Sequence, residues 1–149
     1  MVRFRAIHHP QQHTTPDFGV LKVLQLACLP DDEPVFPESG SWWVGYDMSS
    51  RQPIAFGLVK PSSQWRDTAY LARAGVLPAY RGQGLQRRLI TLRERFARRQ
   101  GYRWMISDTT DNTPSANNLI KAGYRLLDPS SPWASSDTLY WVKDLTKAR

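Results

Sequence analysis

The start of the chain alternates apolar and polar side chains and then changes period. Residues 2–7 place apolar groups on one face and mostly polar groups on the other, which is the period of a β-strand. Residues 17–29 carry apolar side chains at helical spacing behind capping residues at 14–17. This pattern predicts a helix, although Gly19 weakens it.

Three further strands are predicted in the first half. Aromatic and β-branched runs at residues 42–46 and 54–59 flank a segment of turn composition, which indicates an antiparallel hairpin. A third run, residues 68–77, ends at Pro78. Gly75 lies inside it, where a strand tolerates a bulge or the close approach of another backbone.

The second half opens with the clearest helical pattern. After Arg81 an apolar stripe repeats at helical spacing, and Gly101 is placed to end the helix. The members of the stripe are Leu85, Leu89, Leu92 and Phe96.

The remaining elements complete an alternating order. A short buried strand is predicted at residues 104–106, a helix at 112–122, and strands at 124–127 and 138–142. A strand-helix-strand crossover makes its two strands parallel. The order therefore predicts an α/β fold (α+β mixed sheet), with a central mixed sheet of about six to seven strands flanked by helices. No internal repeat or long linker divides the chain, so we expect a single domain over residues 1–149.

The positive charge is concentrated in one segment. Residues 81–103 hold eight arginines and one glutamate and thus account for the whole net charge of +7. Such a helix suits an anionic partner, and nucleic acid is one alternative. The chain has a single cysteine, Cys28, and no apolar run of membrane-spanning length. These features predict a cytoplasmic protein with no membrane association.

No metal site is expected from the sequence. The one cysteine excludes a cysteine-based zinc cluster. The three histidines are His8, His9 and His13. Two are adjacent at a strand end and project to opposite faces, so we interpret all three as surface residues.

The turn that precedes the arginine-rich helix has the features of an anion site. Gly82 and Gly84 lack side chains, so successive N–H groups can converge on a diphosphate. The first amides of a helix lack internal partners and its dipole favours an anion, and Arg81 adds positive charge. The alternative to an anion site is that the two glycines merely make a tight connection between strand and helix. The turn lacks the third glycine of a dinucleotide fingerprint and the Gly-Lys-Ser/Thr of a nucleoside-triphosphate loop.

The segment Arg81-Gly82-Gln83-Gly84-Leu85-Gln86 resembles a known signature. It is similar to the Gln/Arg-x-x-Gly-x-Gly/Ala motif that follows the fourth strand in the GNAT superfamily of acyl-CoA-dependent N-acyltransferases. Gln86 stands where that family has glycine or alanine, which would reshape or widen the last part of the pyrophosphate cradle. Downstream, Asn112-x-x-Ser115 and the segment 119–124 resemble the family's second cofactor motif and its closing Gly-Phe/Tyr.

The resemblance implies acetyl-CoA as co-substrate, no metal, and a primary amine as acceptor. Attack on the thioester would be direct, without an acyl-enzyme, and a backbone N–H near Val76 would stabilise the developing oxyanion. The strand ending at residues 74–78 would pair with the pantetheine arm. The cofactor contacts expected from the resemblance are Ala74, Val76, Arg81, Gly82, Gln83, Gly84, Leu85, Gln86, Asn112 and Ser115.

The proton-transfer groups are less defined. Leu119 occupies the position of a tyrosine that serves as general acid in many relatives, and residues 70–74 lack the carboxylate that some relatives use as base. Ser115 resembles a serine that can approach the thiol in relatives of ribosomal-protein alanine acetyltransferases, or it is a plain helix-start residue. Asp108 is a candidate, or it serves as a loop and cap residue. The candidate catalytic residues are Ser115, Asp108 and Tyr70, with Glu33 as a further base.

The acceptor and the assembly stay open. The acidic segment 31–40 is either solvated or a lid that attracts a cationic amine. Three tryptophans are core residues or line an acceptor pocket, namely Trp42, Trp43 and Trp65. The acceptor is a small molecule or a protein, and a homodimer is left open. The alternatives to an enzyme are a catalytically silent acyl-CoA-binding protein and a basic nucleic-acid-binding module.

Overall fold

A computed structural model describes residues 1–8, 15–35 and 40–147. The chain forms seven strands, three α-helices and a short 3₁₀ turn at Pro78–Tyr80. The strands are β1 (Val2–Ile7), β2 (Ser41–Asp47), β3 (Pro53–Pro61), β4 (Thr68–Val76), β5 (Trp104–Thr110), β6 (Arg125–Leu127) and β7 (Thr138–Asp144). The helices are α1 (Thr15–Cys28), α2 (Leu85–Arg99) and α3 (Thr113–Lys121).

All seven strands belong to one sheet in the order β1-β2-β3-β4-β5-β7-β6. Neighbouring strands are antiparallel except β4 and β5, which run parallel. The parallel pair arises because α2 is the crossover between them, and this connection places the start of α2 beyond the end of β4. The fold predicted from the sequence, a mixed sheet flanked by helices, is confirmed.

The core has two parts, one on each face of the sheet. On one face Leu21 and Leu24 of α1 pack with Trp42 and Phe56. On the other face α2 and α3 pack through a larger cluster that includes Trp43. Adjacent residues of a strand point to opposite faces, which explains why Trp42 and Trp43 join different clusters.

The structure tests several predictions about individual residues. For Trp42 and Trp43, 0% and 4% exposed, the structure confirms the first of the two interpretations, that they are core residues, and not the second. His8 is half-buried rather than on the surface, because its ring stacks on Phe96 with centroids 4.7 Å apart. The atoms nearest to a Cβ placed on Gly75 belong to the side chains of Cys28 and Phe56, so the glycine makes room for side chains. His9, His13 and the side chains of the capping residues at 14–17 lie outside the described residues.

Helix α1 is described from Thr15, two residues before its predicted start. Among the described residues, no helix combines the length and apolar character needed to cross a bilayer. No three or more His, Cys, Asp or Glu side chains converge as a metal site within the same part of the chain.

Candidate active site

The parallel strands β4 and β5 separate after three paired residues. They are paired only from Thr68 to Tyr70 on β4, opposite Trp104 to Ile106 on β5. Beyond this point a cavity of about 400 Å³ lies between the strands. It is lined by both strands, by α2 and α3, and by the segment after α1. We call this space the β4–β5 opening.

A bulge in β4 lies beside the β4–β5 opening. The pairs Gly57–Ala74 and Val59–Leu71 enclose one residue of β3 but two residues of β4, so β4 carries one extra residue there. The bulge is therefore at residues 72–73. The sequence suggested a bulge at Gly75, two positions later.

The backbone of β4 after the bulge presents free amides to the β4–β5 opening. Leu77 donates its N–H to Ile54 O at 2.9 Å. Hydrogen-bonded and non-bonded pairs alternate along an antiparallel ladder, so the N–H groups of Val76 and Ala74 point away from β3. No paired strand of the described chain lies on that side, because β5 has already diverged.

The turn from β4 into α2 presents a second group of free amides. Gly82 and Gly84 have φ values of +80° and +77°, a region that glycine enters without steric cost. Gly84 is the N-cap of α2 and no side chain caps the helix. Among the described residues, none of the amides from Gly82 to Arg87 donates a hydrogen bond. The N-terminus of α2 is thus an open set of donors with a favourable dipole for an anion.

Two side chains fix this turn to the sheet. The Tyr80 hydroxyl donates to Asp47 Oδ2 at 2.6 Å, which attaches the 3₁₀ turn to the end of β2. Arg81 folds back onto β4, where its Nε donates to Val76 O at 3.1 Å. The guanidinium of Arg81 therefore lies beside the end of β4, next to both groups of free amides.

The start of α3 forms the opposite wall. Asn112 is the N-cap of α3, and its Oδ1 accepts a hydrogen bond from Ser115 N at 3.1 Å. Ser115 and Leu119 line the same cavity, and so does Gln86 from α2. Ser115 is therefore a helix-start residue by its backbone and a cavity residue by its position. Leu119 is 4% exposed and offers no proton to a bound molecule.

A carboxylate with two fixed donors lies on the β5 side. Asp108 Oδ2 accepts hydrogen bonds from the Tyr70 hydroxyl at 2.7 Å and from Trp133 Nε1 at 2.8 Å. Burial and the neighbouring Asp108 carboxylate raise the pKa of Tyr70 above its usual range. Tyr70 therefore stays protonated at neutral pH as a donor, whereas Asp108 is the acceptor of the pair.

The comparisons with known proteins agree with this arrangement. The family model described as the Acetyltransferase (GNAT) family matches residues 9–124. The chain belongs to the GNAT family. No curated protein sequence matches it. As a GNAT protein it is an acyl-CoA-dependent acyltransferase, and acetyl-CoA is its co-substrate.

Solved structures with the same fold are distant in sequence. The ribosomal-protein-S18-alanine N-acetyltransferase from Escherichia coli is 14% identical with a TM-score of 0.73, covering 100% of this chain and 97% of that chain. NAA60 from Arabidopsis thaliana, solved with a bisubstrate analogue, is 17% identical with a TM-score of 0.75, covering 97% and 98%. An acetyltransferase from Bacillus subtilis, solved in complex with CoA, is 13% identical with a TM-score of 0.73, covering 97% and 99%.

The residues present in this GNAT chain fit the co-substrate. A Cβ placed on Gly82 or Gly84 would meet nothing within 4 Å, so space is open above the free amides for a diphosphate. The amides of Ala74 and Val76 continue this line of donors toward the cavity, where an extended amide-containing arm would add to β4 as a strand does.

The wall of the opening that faces away from the free amides is made by side chains from distant segments. Gln25 of α1, only 1% exposed, bonds both backbone groups of Val35 at 2.9 and 3.0 Å. Arg73 in the β4 bulge donates to Glu33 O at 2.9 Å. These contacts hold residues 33–35, part of the acidic segment, against the cavity that Val35 lines. Residues 36–39 lie outside the described part.

Sequence reasoning missed three residues of this site. They are Arg93, Ser107 and Trp133, each of which bonds a group of the β4–β5 opening. Trp133 comes from a Pro- and Ser-rich segment with no periodic pattern, and Arg93 looks like one of several surface arginines. Trp65, predicted as a pocket candidate, is 41% exposed and packs edge-to-face on Trp133.

Proposed function

We propose that this chain is an N-acetyltransferase that moves the acetyl group of acetyl-CoA directly to a primary amine. The observation that supports it best is a pair of unbonded donor groups, the N–H groups of Ala74 and Val76 on β4 and the amides from Gly82 onward, beside a cavity that contains Asp108. Bound acetyl-CoA supplies an acetyl group activated as a thioester.

In this proposal backbone amides bind the co-substrate, and we call the amides of Gly82 to Gln86 the grip. The amides of Gly82 to Gln86 bind the diphosphate, and the amides of Ala74 and Val76 orient the arm. The Val76 N–H also stabilises the negative charge that develops on the thioester oxygen, because a fixed donor needs no reorganisation. Ser115 and Asn112 form the wall beside the thiol end.

We assign Asp108 as the group that removes a proton from the acceptor amine. An alkylammonium has a pKa near 10.4, so it must lose a proton before its nitrogen can attack. Asp108 Oδ2 is held by Tyr70 and Trp133, which leaves Oδ1 directed to other partners such as an ammonium. The neutral nitrogen then attacks the thioester carbon and forms the new C–N bond. As the C–S bond breaks, the nitrogen loses its second proton and the leaving thiolate gains one, a transfer that Ser115 or water would relay.

The two alternatives predicted from the sequence gain no support. The arginine-rich helix is not a uniformly solvated basic face, since Arg88 lies over the Phe4 ring and Arg98 donates to Leu145 O.

For the compartment, the cytoplasm remains our proposal from the single cysteine, Cys28. One domain over residues 1–149 is likewise proposed, because α1 packs on the sheet that also carries α2.

A thiol-release assay tests the proposed function. Acetyl-CoA would be incubated with the protein and a library of primary amines that includes amino acids, polyamines, peptides with free N-termini and aminoglycosides. At least one amine should raise thiol release and yield its N-acetyl product by mass spectrometry. Saturable CoA binding with no turnover for any amine would support a silent acyl-CoA-binding protein instead.

A further inference from the structure

Arg93 is a positively charged residue in the core directly below the β4–β5 opening. It lies two turns into α2 and is only 2% exposed. No carboxylate of the described chain forms a salt bridge with it. Burial lowers the pKa of Arg93 to about 10, so the side chain is still charged at neutral pH. The Glu94 carboxylate nearby favours this charge, but without a direct salt bridge the buried guanidinium also needs hydrogen-bond partners.

Those partners are carbonyl groups on both sides of the β4 bulge. Arg93 Nη1 donates to Leu58 O of β3 at 3.1 Å and to Ala72 O of β4 at 3.4 Å, and Nε donates to Leu89 O at 3.1 Å. Leu58 is the one residue that faces the two bulged residues. The guanidinium thus joins β3, β4 and α2 at the point where the regular ladder is interrupted.

The surrounding sequence leaves room for this guanidinium. A Cβ on Gly57 would lie 3.2 Å from Arg93 Nε, so any larger residue would push the arginine. On the other side of β4, Ser107 Oγ of β5 donates to Leu71 O at 2.9 Å. The two consecutive carbonyls of Leu71 and Ala72 are therefore each held by a side chain where the backbone pairing stops.

The bulge determines which way the following amides point. Each residue inserted into a strand reverses the direction of the groups beyond it. The free amides of Ala74 and Val76 begin two residues after Ala72, so a shift of Ala72 moves them with little attenuation. Errors of about 1 Å in such groups cost on the order of 100-fold in rate.

We propose that Arg93 is a positioning residue for the transfer reaction, which holds the β4 bulge so that the Val76 amide meets the thioester oxygen. This inference rests on the proposed function. Arg93 acts through the backbone of β4, whereas the amides of Gly82 to Gln86 belong to a separate turn. Its loss should therefore affect turnover much more than binding of CoA.

The test compares Arg93→Met and Arg93→Lys with Arg98→Met. Arg98 is a matched control because it lies on the same helix and also donates to a backbone carbonyl, Leu145 O at 2.9 Å, away from the opening. All variants would be assayed well below their unfolding midpoints with an amine identified in the library. We expect Arg93→Met to lower kcat on the order of 10- to 100-fold and the dissociation constant of CoA to change less than about threefold.

Rescue separates positioning from general stabilisation. Arg93→Lys keeps a donor for the two carbonyls and should recover part of the lost kcat, while Arg98→Met should lose stability but keep kcat. If Arg93→Met does not fold, Gly57→Ala provides the second measurement, since its Cβ displaces the guanidinium without removing the charge. An unchanged kcat in folded Arg93→Met protein, or in Gly57→Ala protein where Arg93→Met does not fold, or an equal loss in Arg98→Met, would overturn the proposal.

Failure of the proposed function would look different. If no amine of the library gives thiol release with the wild-type protein, there is no rate to compare and the proposed function fails. The positioning of Val76 is then read from its amide resonance in ¹⁵N-labelled free protein. Arg93→Lys should shift the Ala74 and Val76 resonances and Arg98→Met should not, whereas unmoved resonances in both variants would refute the role of Arg93.

Discussion

The two sides of the β4–β5 opening present different kinds of groups, backbone amides on one side and side chains on the other. On the side that we propose for the co-substrate, the groups presented are backbone amides, from Val76 and from the turn that contains Gly82 and Gly84. On the side that we propose for the acceptor, the groups are side chains from separate segments, such as Gln25, Asp108 and Trp133. A backbone grip tolerates changes in side chains, whereas a side-chain pocket changes with each substitution.

This difference explains why the co-substrate is identified while the acceptor is not. The amide grip needs only glycines at positive φ and a helix start, and both leave a recognisable sequence pattern. The acceptor pocket depends on which distant residues the fold brings together, so related folds can present different pockets. The following predictions test whether co-substrate binding and acceptor binding depend on separate groups, beginning with the largest expected effect.

Asp108→Asn should have the largest effect, and it should act on turnover alone. Asparagine can still accept the hydrogen bonds from Tyr70 and Trp133, but it cannot take a proton from the acceptor. We expect kcat to fall on the order of 100- to 10,000-fold at neutral pH. The loss should shrink as pH rises toward the pKa of the amine, because more acceptor is then already uncharged. A pH profile with a constant ratio between the two proteins would contradict this role.

Gly84→Ala should act on binding. A non-glycine residue at φ +77° is strained by roughly 1–2 kcal/mol, and relief of that strain would turn the amides of the grip away from the diphosphate. We expect the dissociation constant of CoA to rise on the order of 10-fold, measured by calorimetry.

Gly101→Ala is the matched control for this change. Gly101 has φ +87° and open space around its Cβ position, so it carries the same strain at the other end of α2. Both variants should lose similar thermal stability, and only Gly84→Ala should lose affinity. Equal losses of affinity would mean that the effect comes from strain in α2 and not from the grip.

Gln25→Met should change the acceptor side selectively. It removes both hydrogen bonds to Val35, which hold residues 33–35 beside the cavity, and a typical hydrogen bond contributes about 0.5–1.5 kcal/mol. We expect the KM for the amine to rise roughly 3- to 10-fold with no change in CoA affinity. A parallel loss of CoA affinity would break the proposed separation of the two sides.

The smallest expected effect concerns pH and the anchor of the grip. Hydrogen bonds from Tyr80 and Ser49 hold the pKa of Asp47 below its usual range. Stabilisation by this carboxylate is complete above the ordinary carboxyl pKa of about 3.9 and is lost as the pH falls through the lower native value. The difference in unfolding midpoint between wild type and Asp47→Asn should be constant above about pH 5 and shrink in acid. A difference that grows in acid would have the wrong sign.

Much of the fold could be predicted from hydrophobic periodicity, but the polar end of β5 could not. Residues 104–106 are apolar and were recognisable as a strand, whereas Ser107 and Thr109 are polar and yet 5% and 8% exposed. They are buried because β7 pairs with β5 along its full length, which no local pattern announces. The β4 bulge and the burial of Arg93 are tertiary in the same sense. Local sequence indicated the grip because its chemistry is local.

A titration of ¹⁵N-labelled protein with CoA tests the central claim most directly. The account predicts saturation at one equivalent, with the amide resonances of Gly82 to Gln86 moving together as the free donors gain partners. Saturable binding that leaves those five amides unmoved, or no binding at millimolar CoA, would contradict it.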